Sequence, residues 1–179
     1  MAKGITLNII QKAKKIRLFL MDVDGVLTDG KLYYYENGSI GRAFHIHDGM
    51  GIELAHLAGL TTGVISAKDS PSIKNRMEEL KIKYIYLGAD DKKAIITTIV
   101  QHDNFSLEEI AYIGDDLIDI PVFTLVGLSF AVANATKNTK LAADYVTYSE
   151  GGNGAVREAL ELILKAQGLF DNLIATYQK

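Results

Sequence analysis

Short apolar runs rich in β-branched and aromatic residues alternate with helical patterns along most of the chain. Parallel strands need a crossover connection between them, and this connection is usually a helix. The alternation therefore predicts an α/β fold, in which helices cover both faces of a parallel sheet. The predicted strands of this sheet are Ile16–Asp22, Thr61–Ile65, Tyr84–Leu87, Ile110–Ile113, Leu128–Val132 and a short Tyr145–Val146.

Two further β-rich runs, Lys31–Tyr35 and Ile40–Ile46, flank an Asn37-Gly38 pair. Asn-Gly between two such runs is a strong hairpin signal, so we expect a projecting β-hairpin over about 31–46. Helix signals follow at several places. We expect helices over Asp48–Ala58, after the cap Ser70-Pro71, over Lys92–His102 and over Ala155–Gln167, with a short capped turn at Ser106 to Glu109.

Length and composition exclude several classes of protein. The chain has 179 residues, a formal net charge of −3 and no cysteine. The length suits one domain over 1–179, and the lack of a basic excess argues against binding to nucleic acid or a membrane surface. Apolar runs such as Ile95–Val100 are far shorter than the ~20 residues of a membrane span. With no cysteine and no signal-peptide pattern in Met1–Lys15, we predict a cytoplasmic protein.

Polar side chains follow four of the predicted core strands. Asp22 and Asp24 end the first strand, Ser66 the second, Lys92 follows the third, and Asp115 ends the fourth. Because ligands of parallel sheets bind beyond the carboxyl ends of the strands, we expect these groups to converge on one edge.

The expected cluster of carboxylates indicates phosphate chemistry. Two like charges 4 Å apart repel by about 4 kcal/mol at an effective dielectric of 20, so the cluster calls for a cation. All available donors are oxygen atoms, which favours Mg2+. Mg2+ and a lysine together suit a phosphoryl group, and a carboxylate is able to attack phosphorus and form an aspartyl phosphate.

Four sequence features together resemble the motifs of the haloacid dehalogenase superfamily of phosphotransferases. They are DVDGVLTDG at 22–30, Ser66, Lys92 and GDDLID at 114–119, and the match spans about 16–148. The resemblance implies a Rossmann-like fold and a Mg2+-dependent phosphatase. It also implies that Asp22 is the nucleophile, and that Asp24 acts as general acid for the leaving group and then as general base for water.

The same resemblance implies roles for the other motif residues. Ser66 hydrogen-bonds the phosphoryl group and Lys92 stabilises its charge. Asp116 or Asp119 supports the metal site from outside. The Mg2+ ligands are the Asp22 carboxylate, the Asp24 backbone carbonyl and the Asp115 carboxylate.

The segments between the motifs are too short to hold a cap domain, so the predicted site is open. The hairpin, which carries Tyr33, Tyr34, Tyr35 and Phe44, is too apolar to stand alone in water, and we expect it to pair with copies of itself. The chain is similar to a capless branch of the superfamily that acts on sugar-acid phosphates. This similarity implies a homotetramer built through the hairpins and a C-terminal tail, about 168–179, that reaches a neighbouring site.

In that branch, the loop after the hairpin and two basic residues contact the sugar acid of the small sugar phosphate, and the lysine of the third motif contacts its phosphoryl group. The matching substrate-binding positions are His45, Ile46, His47, Asp48, Gly49, Lys68, Arg76 and Lys92. The chain departs from the branch at Ala67-Lys68, where Gly-Arg is usual, and lysine lacks the bidentate fork of arginine. A phosphatase for another sugar phosphate, such as a nonulosonate 9-phosphate, is therefore the alternative.

Other interpretations compete at three places. A phospho-receiver signalling domain uses similar residues, but its acidic pair precedes the phosphorylated Asp, the reverse of the order seen here. His45 and His47, expected on one face of a strand, suit either solvent or substrate better than a metal. Finally, a helix begins after Gly151-Gly152-Asn153-Gly154. Either the free backbone N–H groups of this segment bind an anion, or the segment is only a flexible entry to the helix.

Overall fold

A sheet of six parallel strands lies at the centre of the computed structural model, which describes residues 5–178. Two further strands form a separate hairpin, β2 and β3. All the strands, in chain order, are β1 (Leu18–Met21), β2 (Tyr33–Tyr34), β3 (Ile40–Gly41), β4 (Thr61–Ser66), β5 (Tyr84–Leu87), β6 (Ile110–Gly114), β7 (Leu128–Ala131) and β8 (Tyr145–Val146). The order across the sheet is β5, β4, β1, β6, β7, β8. Every residue of β1, β6 and β7 is buried, and because successive side chains point to opposite faces, both faces are covered. The predicted α/β fold is confirmed.

Helices connect the strands and bury the sheet. They are α1 (Leu7–Ala13), α2 (Ile46–Leu57), α3 (Pro71–Glu79), α4 (Lys92–His102), α5 (Ile120–Phe123), α6 (Lys137–Ala142), α7 (Ala155–Ala166) and α8 (Phe170–Thr176). The predicted caps are confirmed: the Ser70 hydroxyl accepts the Ile73 N–H, and Ser106 and Glu109 form a capping box. Both α1 and α2 pack against α7.

The hairpin differs from its prediction in the length of its strands. β2 and β3 pair antiparallel with two residues each, and Gly38 in the turn has a φ of +80°. The return arm leaves β3 after Gly41 and makes one more bridge, between Phe44 and Thr28. It then enters α2 at Ile46, because the backbone N–H of His47 is capped by the His45 ring. The strand predicted over Ile40–Ile46 is therefore wrong beyond Gly41, and His47 lies in a helix.

The C-terminal segment packs on its own chain. Apolar side chains of α8 and the residue before it, including Phe170 and Leu173, lie half-buried against the core. The Lys165 ammonium lies 4.5 Å from the centre of the Phe170 ring. Within residues 5–178, every helix is too short or too polar to cross a bilayer.

Candidate active site

A cavity of about 150 Å³ opens at the carboxyl ends of β1, β4 and β6. These strands are neighbours in the sheet, so the residues that follow them meet there. The cavity is smaller than the ~300–1,000 Å³ typical of pockets that enclose a small molecule. It therefore suits a phosphoryl group rather than a whole sugar phosphate. Its lining consists of Asp22, Asp24, Ser66, Ala67, Lys68, Asp115, Asp116 and Ile118.

A buried ion-pair network forms the floor of this cavity. The Lys92 ammonium lies 3.1 Å from an Asp22 carboxylate oxygen and 2.7 Å from Asp119 Oδ1. It also donates to the hydroxyl of Tyr112, which in turn donates to Asp119 at 2.8 Å. Burial raises the pKa of Asp22 to about 6, although Lys92 opposes this shift. The network fixes the Asp22 carboxylate against a cation, with its free face toward the cavity.

Asp119 is held by the polypeptide rather than offered to a ligand. Its Oδ2 accepts the backbone N–H groups of Asp115 and Asp116, at 2.9 and 3.2 Å, while Oδ1 is taken by Lys92 and Tyr112. The side chain is fully buried. Asp119 therefore shapes the loop that carries Asp115. Asp116, by contrast, is exposed and its carboxylate caps the next turn by accepting the Leu117 N–H.

Asp115 is the carboxylate in this site that calls for a cation. Oxygen atoms of Asp22, Asp115 and Asp119 lie within 4.8 Å of one another. Among residues 5–178, no group donates a hydrogen bond that the structure records to the Asp115 carboxylate. Burial first, and then the charge of Asp22, raise the pKa of Asp115 to about 7. The potential metal ligands here are all carboxylate oxygen atoms, which suit a hard divalent ion such as Mg2+ held between Asp22 and Asp115.

Ser66 and Lys68 lie at the β4 side of the cavity. Ser66 is the last residue of β4, and its hydroxyl accepts the N–H of Lys68 at 3.1 Å. The hydroxyl hydrogen of Ser66 remains available for a ligand oxygen. Lys68 is exposed at the rim, where its charge faces the opening.

The Asp24 carboxylate is paired with Arg42, a residue that sequence reasoning did not single out. Arg42 follows β3 in the hairpin and donates to both carboxylate oxygens of Asp24. Tyr112 was missed as well. Its position in a buried strand looks like an ordinary core residue, and only the fold shows its hydroxyl between Lys92 and Asp119.

Several residues expected to contact substrate lie away from this cavity. Ile46, Gly49 and Arg76 line a different cavity of about 580 Å³ between α2 and α3. His45 and His47 lie at the start of α2 with their rings in edge contact, 4.9 Å apart. The described chain alone therefore does not bring these side chains to Asp22.

Asp48, which is also among the expected substrate-binding residues, makes a structural contact within its own chain. It is almost fully buried in the first turn of α2, and its carboxylate accepts the backbone N–H of Arg157 at 2.8 Å and of Gly154 at 3.3 Å. Those N–H groups belong to the start of α7. A side chain of the same protein thus occupies the helix terminus, which the sequence left open to an anion.

The glycines before α7 support the loop that carries the predicted nucleophile. The Gly152 N–H donates to the carbonyl of Val26 at 2.8 Å, and the Gly151 N–H donates to the Asn134 side chain at 2.9 Å. A side chain on Gly151 would overlap the Gly25 carbonyl, so the two backbones approach as closely as only glycine allows. This contact fixes the Asp22 to Thr28 loop from behind.

Comparison with known proteins gives a consistent set of relatives. A family model described as haloacid dehalogenase-like hydrolase matches residues 62–160. The chain is 42% identical over 158 residues to the 3-deoxy-D-manno-octulosonate 8-phosphate phosphatase of Haemophilus influenzae, and the match covers 88% of each chain. It is 41% identical over 167 residues to the Escherichia coli K12 protein of the same name, covering 93% of this chain and 89% of that one.

A solved structure resembles this one closely. The 3-deoxy-D-manno-octulosonate 8-phosphate phosphatase of Moraxella catarrhalis, in complex with a magnesium ion, a phosphate ion and a KDO molecule, matches with a TM-score of 0.93 and 42% identity. The match covers 96% of this chain and 99% of that chain. The resemblance therefore extends over both the sheet and the hairpin.

Proposed function

Because the chain belongs to the haloacid dehalogenase-like hydrolases, we propose that it is a Mg2+-dependent phosphatase that hydrolyses 3-deoxy-D-manno-octulosonate 8-phosphate to the sugar acid and phosphate. One observation carries the proposal. Asp22, paired with Lys92, lies on the floor of a small cavity beside Asp24, Ser66 and Asp115. The names of the relatives supply the substrate, and we place the reaction in lipopolysaccharide precursor synthesis.

With Asp22 as nucleophile and Asp24 as acid and then base, the proposed reaction has two steps. In the first, an Asp22 oxygen attacks phosphorus and the P–O bond to the sugar breaks, while the leaving oxygen takes a proton from Asp24. In the second, Asp24 accepts a proton from water, and the water oxygen attacks phosphorus and releases Asp22. Throughout, the Ser66 hydroxyl donates to a phosphoryl oxygen.

Positive charge is arranged around the phosphoryl group. The buried Lys92 ammonium offsets the negative charge that develops there, and its fixed position requires no reorganisation during the reaction. Asp22, Asp115 and the Asp24 carbonyl would hold Mg2+. When bound, Mg2+ supplies further positive charge to the phosphoryl oxygens.

A phosphate-release assay over a panel of sugar phosphates tests the proposal. We expect the octulosonate 8-phosphate to be hydrolysed with a kcat/KM at least about 10-fold above that of hexose 6-phosphates, since a sugar-acid carboxylate pairs with cations such as Lys68. EDTA should remove activity and Mg2+ restore it. Preference for a nonulosonate 9-phosphate would correct the substrate but keep the chemistry. Full activity in EDTA would contradict the metal assignment.

We further propose that the chain forms a homotetramer through the hairpin. Large side chains of the hairpin are exposed, and Tyr34 and Tyr35 are 73% and 58% accessible. An open cavity too small for the sugar also needs a second surface. We expect the α2–α3 cavity with Ile46, Gly49 and Arg76 to supply that surface to a neighbouring site. Closure by the C-terminal tail and a cytoplasmic location stay predictions.

Substituting Tyr34 with Asp should dissociate the assembly, because a carboxylate would be buried in the apolar contact between hairpins. In sedimentation velocity at micromolar concentration, we expect the wild type to sediment as a tetramer and the variant as smaller species. Tyr148→Asp is the matched control, since Tyr148 is equally exposed, at 72%, outside the hairpin. A monomeric wild type would contradict the proposal.

A further inference from the structure

The hairpin contributes one charged side chain to the active site. The Arg42 Nε donates to Asp24 Oδ1 at 2.6 Å, and Nη2 donates to Oδ2 at 3.1 Å. This is a side-on bidentate pair, the geometry in which a guanidinium fixes the plane of a carboxylate as well as its position. In the part of the chain that the structure describes, no other group hydrogen-bonds to the Asp24 carboxylate.

Arg42 is itself held from its other edge. Its Nη1 donates to the hydroxyls of Ser70 and Ser72, at 3.0 and 3.3 Å, at the start of α3. The Arg42 side chain is only 3% exposed, whereas that of Asp24 is 26% exposed toward the cavity. The guanidinium is therefore fixed between α3 and the loop that carries Asp24.

The backbone on either side of Arg42 is also anchored. β3 ends at Gly41, directly before Arg42, and the Phe44–Thr28 bridge lies two residues after it. Thr28 belongs to the same loop as Asp24, and its hydroxyl accepts the Gly25 N–H at 3.2 Å. The hairpin arm and the Asp24 loop thus form one unit, with Arg42 as the side-chain link across it.

From these contacts we infer that Arg42 is a positioning residue for Asp24. The inference rests on the proposed phosphatase function. Arg42 exchanges no proton itself, because its guanidinium stays charged, but it sets the direction of the carboxylate that does. Each Asp24 oxygen uses one lone pair on Arg42 and keeps the other for the proton that passes to the leaving oxygen or comes from water. Without Arg42, the carboxylate would rotate freely at the cavity wall.

Two substrates that differ in their leaving group distinguish a positioning role for Arg42 from a merely structural one. A sugar alkoxide leaves only with a proton from an acid, whereas p-nitrophenolate is stable enough to leave without one. The ratio kcat/KM reports the steps through departure of the leaving group, so the later attack by water does not enter it. Loss of a well-aimed Asp24 should therefore lower kcat/KM for the sugar phosphate and spare p-nitrophenyl phosphate.

The experiment compares Arg42→Met, Arg42→Lys and Asp24→Asn on the octulosonate 8-phosphate and on p-nitrophenyl phosphate. We expect Arg42→Met to lose about 10–100-fold in kcat/KM on the sugar phosphate and less than about 3-fold on the aryl phosphate. Asp24→Asn should show the same asymmetry, larger in size. Arg42→Lys keeps the charge but not the fork, and should recover part of the loss on the sugar phosphate alone.

Arg17→Met serves as the matched control, because the exposed Arg17 pairs with Glu109 at the amino ends of β1 and β6, the sheet edge opposite the cavity. Equal losses on both substrates, in Arg42→Met or in Arg42→Lys, would overturn the inference and assign Arg42 to the fold. An unchanged kcat/KM in Arg42→Met would overturn it too. If the wild-type protein hydrolyses neither substrate, that result would instead contradict the proposed phosphatase function on which the inference rests.

Discussion

An Asp22→Asn variant should release phosphate at least about 10⁴-fold more slowly than the wild type, because the amide that replaces the carboxylate is a far poorer nucleophile toward phosphorus. The substitution preserves size, and the amide oxygen still accepts from Lys92, which lies 3.1 Å from the carboxylate. We therefore expect a folded protein with an unchanged circular dichroism spectrum. Phosphate release in saturating sugar phosphate and Mg2+ measures the effect.

Asp29→Asn provides the matched control for this experiment. Asp29 lies in the same motif, but its carboxylate accepts the Lys31 N–H at the surface and does not line the cavity. We expect it to keep most of the activity. A residual rate above about 1% in purified Asp22→Asn would refute the nucleophile assignment.

Replacing Lys92 with Met should damage both activity and stability. Its ammonium lies between two buried carboxylates, Asp22 and Asp119, which would lose their common counter-ion. Leaving a buried charge unpaired costs about 3–5 kcal/mol, which corresponds to about 6–20 °C in Tm for a chain of this size. We expect phosphate release to fall by about 10²–10³-fold, as for other fixed groups that stabilise developing charge.

Calorimetry with and without Mg2+ sharpens the Lys92→Met prediction. A divalent ion between Asp22 and Asp115 supplies part of the lost positive charge, so the Tm deficit should be smaller in Mg2+ than in EDTA. Lys15→Met is the control, since Lys15 forms an exposed pair with Glu108 and such pairs contribute about 0–1 kcal/mol. A Tm deficit no larger than that of Lys15→Met would show that the buried network does not hold the site together.

The strand-end residues could be predicted because their positions follow from topology. Asp22, Ser66 and Asp115 each lie within one residue of the end of a parallel strand, and the carboxyl ends of neighbouring strands share one edge. The alternation of apolar runs and helices was enough to place them together. No knowledge of side-chain packing was needed.

The partners of those residues could not be predicted, because they depend on tertiary contacts. Arg42 is 18 positions from Asp24 in sequence and meets it only because the hairpin folds back over the loop. From the sequence, Asp48 looks like an ordinary polar residue after the hairpin. Its carboxylate nevertheless accepts the backbone N–H of Arg157, 109 positions away at the start of α7. The early start of α2 likewise depends on His45 as a local cap, which a β-rich pattern does not reveal.

The contacts behind the Asp22 loop also set an order for biosynthesis. The loop is supported by the Gly152 N–H on the Val26 carbonyl, and α2 is joined to α7 through Asp48. A ribosome completes the Asp22 segment long before it adds these distant supports. The nascent chain therefore carries its nucleophile for most of its synthesis on a loop that is still unsupported. We therefore expect the capacity to react with phosphate esters to arise only after the segment that forms α7 has folded against this loop.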